Sequence, residues 1–457
     1  MSESKTKLTD MTQGSPAKLI LTFTLPLFLG NMLQQLYNMV DSIVVGQFVG
    51  KTALAAVGTG FPVIFMLGAL FMGLGMGAMV MISQYYGAGD MERVRSTINT
   101  IYTTMFIVIV PLTVLGIFIS GPMLHLMNTP ADTFEEAKIY MIIVFGGMIG
   151  SFGYNINSGV LQGLGDSRTP LIFLAIASLL NIVLDLLFVI VFGWGVAGVA
   201  IATITAQAFS WLFGVFYINK KYPELHMNPV SFKFNKERFK KIMRLGVPSG
   251  IQQMLFSVGV MMMQSLVNSY GSDFMAGFNA GNKIDTFAFM PIQSLSSAIT
   301  TYVGQNIGAG KIDRVRNGTR VTIGVGIAFS IFAAAVLIPA GPICLRLFTS
   351  DTAVIDAGMA YLYRIMPFYS LLAIMFTLNG VMRGAGAVLI PTVSSILSLW
   401  LARVPSAYIL AHFFGGENMY FCYLFGWAVG VIIILPYYFS GRWKNKSVVQ
   451  QQLIHGE

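Results

Sequence analysis

The sequence predicts an all-α polytopic membrane protein with twelve transmembrane helices in two six-helix lobes. Three observations lead to this fold class: few charged residues, twelve long apolar stretches, and a set of motifs that occurs twice. Of the 457 residues, 55 % are hydrophobic and only 10 % are charged, with a mean hydropathy of +0.71. Soluble domains carry about 25 % charged residues. The composition therefore excludes a soluble enzyme, a disordered chain and a nucleic-acid-binding protein, in spite of the net charge of +9.

The apolar residues form twelve stretches that are long enough to cross a bilayer, which takes about 20 residues. Charge clusters and Gly, Pro or Asn breaks separate these stretches. They are continuous, as in helices, and do not alternate with polar residues as membrane strands do. In chain order they are residues 19–45, 53–82, 97–120, 136–161, 170–192, 195–218, 243–268, 275–303, 318–345, 357–381, 391–413 and 420–440.

Basic residues predict the orientation. Lys and Arg concentrate in alternate loops, most densely in residues 219–244, whereas the intervening loops carry acids such as Asp132, Asp273 and Glu417. Because cytoplasmic loops carry an excess of Lys and Arg, we expect both termini and the 219–244 loop to be cytoplasmic. The setting is expected to be a bacterial-type inner (plasma) membrane. The positive charge thus indicates topology and no nucleic-acid partner.

The sequence also resembles itself at an offset of 221 residues. The motif Gln-x-x-Gly-Ala-Gly occupies residues 84–89 and again 305–310, and Gly-x-Gly occupies 163–165 and again 384–386. Because each half contains an even number of stretches, both halves have the same orientation, as in the parallel repeats of some secondary transporters. The predicted domains are an N-terminal lobe of six helices (1–218), a basic cytoplasmic linker (219–242) and a C-terminal lobe of six helices (243–457).

Several classes of chemistry have no signal in the sequence. It contains no Gly-x-x-x-x-Gly-Lys-[Ser/Thr] phosphate loop, so uphill transport would need an ion gradient or the membrane potential. The sequence shows no nucleophile–base pair and no metal-binding motif that would indicate an enzyme. Cys344 and Cys422 lie far apart in apolar stretches and predict no disulfide framework. We expect no cofactor besides a coupling ion.

The motifs resemble those of the multidrug and toxic compound extrusion (MATE) family. The resemblance rests on the doubled Gln-x-x-Gly-Ala-Gly, on Asn38-Met-Val-Asp41-Ser-Ile-Val-Val-Gly46 and on Gly163-x-Gly165-Asp166-x-x-x-Pro170, and it covers residues 15–442. The chain is most similar to the bacterial branch with an acidic N-terminal lobe. The resemblance implies a monomer in the lipid bilayer that exports small cationic or amphiphilic compounds in exchange for H⁺ or Na⁺.

Ionisable residues inside the apolar stretches indicate the ion-coupling site. Inserting a charge at the centre of a membrane helix costs about 2.5–3.5 kcal/mol. The presence of Asp41 and Asp185 in apolar stretches therefore indicates a function. Asn181 and Asp185 are four residues apart and share a helix face. Carboxylate and amide oxygens can hold a proton or ligate Na⁺, which would use Asp41, Asn181 and Asp185. The alternatives are a carboxylate at the water interface for Asp41 and an interhelical polar pair for the other two.

The resemblance adds further residues to this site. It implies Thr203, early in the sixth stretch, and an asparagine in the fourth stretch that is either Asn155 or Asn157. It also suggests that Pro26 is a hinge coupled to protonation, and a packing kink is the alternative. Proline bends a helix because it removes a backbone hydrogen bond.

Substrate-cavity residues are predicted in both halves. Flexible Met and aromatic side chains suit varied amphiphilic cations, although such residues also serve as core or lipid contacts. The predicted lining residues are Tyr37, Gln34, Asp285, Met261, Phe287 and Met290. Asp285 is also expected to be the counter-ion of Arg364 and Arg403, or to take part in coupling. The stretch 243–268 contains no acid, so a second-lobe Na⁺ site is not expected.

Two other functions remain open at this point. A flippase for a lipid-linked oligosaccharide or another amphipathic lipid would need cations in the cavity, for which Lys283, Arg364 and Arg403 are available. A receptor or scaffold that does not transport would bind its ligand without any dependence on an ion gradient. The acids of the first half favour the antiporter over the flippase.

Overall fold

The computed structural model describes residues 8–449, and over these residues the chain forms helices and turns without a strand. Each of the twelve predicted stretches lies in helical structure apart from Gly147 in the fourth and Phe192 in the fifth. The α-helices are α1 (Pro16–Val44), α2 (Lys51–Gly87), α3 (Met91–Leu126), α4 (Ala131–Gly146), α5 (Met148–Gly163), α6 (Arg168–Asp185), α7 (Gly195–Lys221), α8 (Lys236–Asn268), α9 (Ser272–Gly308), α10 (Ile312–Arg346), α11 (Thr352–Ile365), α12 (Tyr369–Gly384), α13 (Leu389–Leu397), α14 (Val404–Phe414) and α15 (Cys422–Ser440).

Three π-helical segments extend this set. Val45–Val49 continues α1, Leu186–Val191 continues α6, and Ser398–Arg403 joins α13 to α14. A π-helix has wider i→i+5 hydrogen bonding and occurs mostly as single-turn bulges inside α-helices, frequently at functional sites. The first segment begins four residues after Asp41, the second begins directly after Asp185, and the third ends with Arg403.

Ten helical segments of the described residues are long and apolar enough to cross a membrane, and an eleventh span is formed by α4 and α5 together, which are bent by 49°. The remaining predicted span, α9, is 37 residues long. Its polar side chains lower its hydropathy below that of the other spans. Length and packing place α9 with the spans, although its composition does not.

The four repeated glycine motifs end helices in the same way. Gly89, Gly165, Gly310 and Gly386 have φ angles of 76°, 85°, 72° and 84°. After the first of them, the N–H of Asp90 returns to the carbonyl of Tyr85 at 3.0 Å. This is the Schellman pattern, in which a left-handed glycine lets the chain satisfy the last carbonyls of a helix. The motifs therefore form turns at the ends of helices.

Asp166 fixes the start of α6 to the end of α7. Its Oδ1 accepts the N–H groups of Arg168 and Thr169 at 3.0 Å each, and its Oδ2 accepts the hydroxyl of Tyr222 at 2.8 Å. Lys221 forms an ion pair with it at 3.1 Å. Burial raises the pKa of Asp166, but the hydrogen bonds from Thr169 and Tyr222 and the charge of Lys221 outweigh burial, so the pKa is lowered overall.

The described residues divide into two compact units. The first unit contains residues 8–10 and 29–250. Within it, α2 approaches the start of α8 through glycines: a Cβ on Gly73 would lie 2.5 Å from the backbone N of Gly250, and one on Gly77 would lie 2.9 Å from that of Gly246. Small residues allow such close contact between membrane helices.

The second unit contains residues 11–28 and 251–449. The backbone of Met11, which is fully buried, donates to Oε1 of Gln305 at 2.9 Å and accepts from Nδ2 of Asn306 at 3.1 Å. The units thus differ from the predicted lobes, since residues 11–28 lie in the second unit and the 219–242 linker lies in the first. The linker backbone is held there by bonds such as that from the hydroxyl of Thr103 to the carbonyl of Lys233, at 3.3 Å.

Candidate functional site

Two acids of the first unit meet at the ends of α1 and α6. Asp41 lies four residues before the π-segment Val45–Val49, and Asp185 is the residue directly before the π-segment Leu186–Val191. Their side chains are hydrogen-bonded to each other. A hydrogen bond between two carboxyl groups requires at least one proton. The pair is therefore a place where a proton can be held inside the first unit.

Asn181 and Thr203 surround this acid pair. With its amide oriented to satisfy both neighbours, Asn181 donates to Oδ2 of Asp185 at 3.0 Å and accepts from the backbone N–H of Thr203 at 3.3 Å. Asn181 lies one helical turn before Asp185, and both are almost fully buried. The structure thus brings together Asp41, Asp185, Asn181 and Thr203 of the predicted ion-coupling set.

Two tyrosines complete the cluster. Tyr37, one turn before Asp41 on α1, is hydrogen-bonded to the side chain of Thr203. Tyr140, on α4, lies close enough to feel the charges of Asp41 and Asp185. Tyr140 is not among the site residues predicted from the sequence. A signal existed, because Tyr140 and Tyr361 are related by the 221-residue offset.

The acid pair has unfilled acceptor atoms. Oδ1 of Asp41 and Oδ1 of Asp185 are buried, and no N–H or hydroxyl group of the described residues donates to either. Burying an ionised carboxylate without a partner is costly, so such a group takes up a proton or binds a cation. The oxygens of these carboxyls, Asn181 and Thr203 are also the hard ligands that Na⁺ prefers.

The two asparagines of the fourth stretch have other partners. Asn157 is fully buried; it accepts from the hydroxyl of Tyr102 and donates to the carbonyl of Trp211 at 3.0 Å. Asn155 donates to the carbonyl of Ser151 at 2.8 Å and lines a small cavity of the first unit. Asn155 thus faces a cavity with mostly apolar walls.

The remaining predicted residues do not form one lining. In the second unit, Met261 and Phe287 are exposed by 54 % and 50 %, whereas Met290 and Pro26 are buried. Gln34 is exposed on α1. Exposed apolar side chains on membrane helices are expected at the lipid boundary as well as in a cavity. The cavity assignment of these residues stays a prediction.

Asp285 lies in an aromatic cluster of the second unit. Its Oδ2 accepts the hydroxyl of Tyr361 at 2.9 Å, and its Oδ1 accepts the hydroxyl of Tyr369. The guanidinium of Arg403 acts on Asp285 through its charge and lies 3.5 Å from the centre of the Tyr423 ring. Asp285 is thus an electrostatic partner of Arg403, as expected.

The expected pairing of Asp285 with Arg364 is wrong. Arg364 forms an ion pair with Glu417 at 3.0 Å and a hydrogen bond with Oδ1 of Asn418 at 3.2 Å. Arg364 lies in the last turn of α11, where it reaches the segment that precedes α15. The sequence shows that Arg364 lies in an apolar run but not which acid the fold brings to it. Lys283 is exposed, and its ammonium lies 5.3 Å from the ring centre of Phe348.

The chain matches a known family over most of its length. The sequence profile of a family described as MatE matches residues 26–187 and again residues 248–409. The chain is 33 % identical to the probable multidrug resistance protein YpnP of Bacillus subtilis, over 98 % of this chain and 100 % of that protein. It is 29 % identical to the probable multidrug resistance protein NorM of Thermotoga maritima, over 96 % and 95 % of the two chains.

Solved structures share the fold. A multidrug resistance MATE family transporter of the MOP superfamily, in its outward-facing conformation, superposes with a TM-score of 0.89 at 24 % identity, covering 97 % of this chain and all of the other. A MATE structure in the bent conformation gives a TM-score of 0.90 with the same identity and coverage. The twofold profile match and this likeness confirm the predicted fold of twelve helices in two lobes related by an internal repeat.

Proposed function

The chain belongs to the multidrug and toxic compound extrusion (MATE) family of multi-pass membrane transporters, and we propose that it is a secondary active antiporter. Its substrates would be organic cations or amphiphilic drugs, which it exports in exchange for an ion. The names of its relatives, which are probable multidrug resistance proteins, support drug efflux.

The observation that carries the proposal is the acid pair of the first unit. Asp41 and Asp185 are hydrogen-bonded to each other, and Asn181 bonds both Asp185 and Thr203. A pair of acids inside a membrane protein is a functional site by default, because the membrane makes such groups expensive. An ion that binds here neutralises the negative charge that would otherwise attract a cationic drug.

The contact between the two carboxyls favours H⁺ as the coupling ion. A shared proton lets two carboxyl groups lie in hydrogen-bond contact, whereas a Na⁺ ion would have to separate their oxygens to ligate both. In the Na⁺ alternative, Asn181 and Thr203 would supply the remaining oxygen ligands.

Proton and drug are proposed to exclude each other. Binding of H⁺ at the pair lowers the affinity for the organic cation, and by linkage the cation lowers the affinity for H⁺ by the same factor. Protons that enter from outside would therefore favour drug release. The protein would then return to its inward-facing conformation without bound drug. Saturating drug that leaves proton binding unchanged would contradict this scheme.

The orientation and assembly follow from simpler arguments. We propose a bacterial plasma membrane location with both termini cytoplasmic, because Lys and Arg concentrate in alternate loops and cytoplasmic loops carry an excess of these residues. We also propose a monomer, because one chain already contains both lobes. The flippase alternative loses one of its three candidate cations, since Arg364 is paired with Glu417.

The test is efflux of a fluorescent organic cation from bacteria that lack their own pumps. Asp41→Asn and Asp185→Asn remove one charge each without a large change of shape, and Asp313→Asn, whose side chain is 92 % exposed, is the matched control. Each strain is measured with the proton gradient collapsed and, separately, with Na⁺ replaced by K⁺.

We expect efflux to be lost in both pair variants and kept in the control. Loss of wild-type efflux on collapse of the proton gradient identifies H⁺, and loss on Na⁺ replacement identifies Na⁺. Efflux that persists in Asp41→Asn and Asp185→Asn, at wild-type expression, would overturn the assignment of the pair.

A further inference from the structure

The second unit contains a charged cluster that the proposed coupling scheme does not use. Four elements bring its members together: α9 carries Asp285, α11 carries Tyr361, α12 carries Tyr369, and the π-segment Ser398–Arg403 ends with Arg403. Tyr423 of α15 packs under the guanidinium, at 3.5 Å from Arg403 to the ring centre. The cluster lies in an aromatic core of this unit, with Tyr369 against Trp427 and Tyr361 against Tyr423.

One positive and one negative charge dominate this cluster. Arg364 and Glu417 neutralise each other nearby. The groups that face Asp285 and Arg403 from the packed elements are the hydroxyls of Tyr361, Tyr369 and Tyr423 and the thiol of Cys422. These side chains are neutral in their ordinary state, so the carboxylate of Asp285 is the counter-charge of Arg403.

Arg403 also has an unused donor. Its Nε is buried, and no acceptor within residues 8–449 takes its hydrogen. A buried guanidinium without its full set of acceptors costs free energy that an additional acceptor can recover. The flat face of the guanidinium is occupied by Tyr423, so its edge is the part that remains for an anion.

We propose that the cluster of Asp285, Tyr361, Tyr369, Arg403 and Tyr423 binds an acidic group of a transported compound, such as a carboxylate, together with one proton on Asp285. The proposal rests on the transport function above and adds a substrate class to it: amphiphiles that carry an acid. While Asp285 is ionised, its charge repels a second anion. Once Asp285 is protonated, Arg403 lacks a counter-charge, and the incoming carboxylate replaces it.

The ligand would find a complete set of donors. The Nε–H of Arg403 supplies a charge-assisted bond, and arginine matches planar carboxylates in geometry. The hydroxyls of Tyr361 and Tyr369, which bond to Asp285 in its present state, can turn to the ligand. Asp285 itself becomes a donor when protonated.

The test uses two forms of one dye and the purified full-length protein in lipid nanodiscs. A rhodamine as its ethyl ester is a plain cation, and its free acid differs by one carboxylate. The readout is the ratio of the Kd of the ester to the Kd of the acid, measured by fluorescence polarisation from mildly alkaline to mildly acidic pH. Both dyes carry the same cationic group. Changes in the binding of that group, including competition by protons at Asp41 and Asp185, therefore cancel in the ratio.

We expect the wild-type ratio to rise as the pH falls. Asp285→Asn should raise the ratio at neutral pH by about tenfold or more and remove its pH dependence, because Arg403 is then always without a counter-charge. Asp273→Asn, an exposed acid on the same helix, is the matched control and should behave as wild type. Arg403→Gln should abolish the rise, and Arg403→Lys should retain part of it.

Asp285→Asn decides the question, since damage to the fold cannot produce tighter binding of the acid. A ratio and a pH profile that equal those of wild type in this variant would overturn the proposal. That result would leave the antiporter assignment intact, because the latter depends on efflux by Asp41→Asn and Asp185→Asn.

Discussion

At the scale of single residues, Asn181 links the parts of the acid pair. Its amide donates to Asp185 and accepts from Thr203, so only one orientation of the amide satisfies both. Thr203 in turn is bonded to Tyr37, which lies on the helix that carries Asp41. The position of each acid is therefore set by a chain of neutral hydrogen-bonding groups.

Thr203→Val tests this chain of contacts. Valine keeps the shape but removes the hydroxyl that bonds Tyr37, and one such bond contributes about 0.5–1.5 kcal/mol. We expect efflux of a fluorescent cation to fall by about two- to tenfold. Thr205→Val, at an exposed position of the same helix, should leave efflux unchanged. Equal efflux in the two variants would show that the hydroxyl of Thr203 has no role.

At the scale of helices, each of the three π-segments lies at or near an ionisable residue of the two charged clusters. Val45–Val49 follows Asp41, Leu186–Val191 follows Asp185, and Ser398–Arg403 contains Arg403. A π-turn widens a helix locally and shifts the following residues around the axis. The helix direction and register therefore change just after Asp41 and Asp185, whereas Arg403 lies at the end of its own π-segment.

The start of α6 is a second element on which the site depends. Asp166 caps this helix and pairs with Lys221, and α6 carries Asn181 and Asp185 toward its other end. Because the pKa of Asp166 is lowered in the folded state, its ionised form stabilises the fold. That stability is present above the pKa of an unfolded aspartate, about 3.9, and is lost as the pH falls through the folded value.

Asp166→Asn should therefore lower stability at neutral pH, by about 1–3 kcal/mol for bonds to a charged group. The difference between wild type and variant should shrink as the pH is brought below about 4. Thermal unfolding of the detergent-solubilised protein at a series of pH values measures this difference in stability. Asp313→Asn, at an exposed position, is the control. A difference that stays constant with pH would contradict a role for the charge.

At the scale of the whole molecule, the helical fold is repeated in both halves, but the ionisable residues are not. The 221-residue offset places Met262 and Ser406 opposite Asp41 and Asp185, and Ile64 and Ile182 opposite Asp285 and Arg403. Tyr140 and Tyr361, which the same offset relates, lie near acids in their respective units. Each unit thus carries its own kind of charged cluster on the same helical plan.

The proposed orientation can be tested with single cysteines in a chain that lacks Cys344 and Cys422. Lys220→Cys lies at the exposed end of α7 on the basic side, and Asp132→Cys lies exposed at the start of α4 on the acidic side. A maleimide that cannot cross membranes should label position 132 in intact cells and position 220 only after permeabilisation. Labelling of position 220 from outside would reverse the orientation.

The sequence by itself determined the membrane class, the twelve helical stretches and the repeat. These features depend on local composition and on spacing along one helix, as does the shared face of Asn181 and Asp185. The tertiary structure decided the partners: Glu417 for Arg364, Tyr140 beside the acids, Tyr102 and Trp211 for Asn157, and residues 11–28 in the second unit. Helical periodicity shows which face of a helix carries a residue, whereas contacts between distant helices depend on how the whole chain packs.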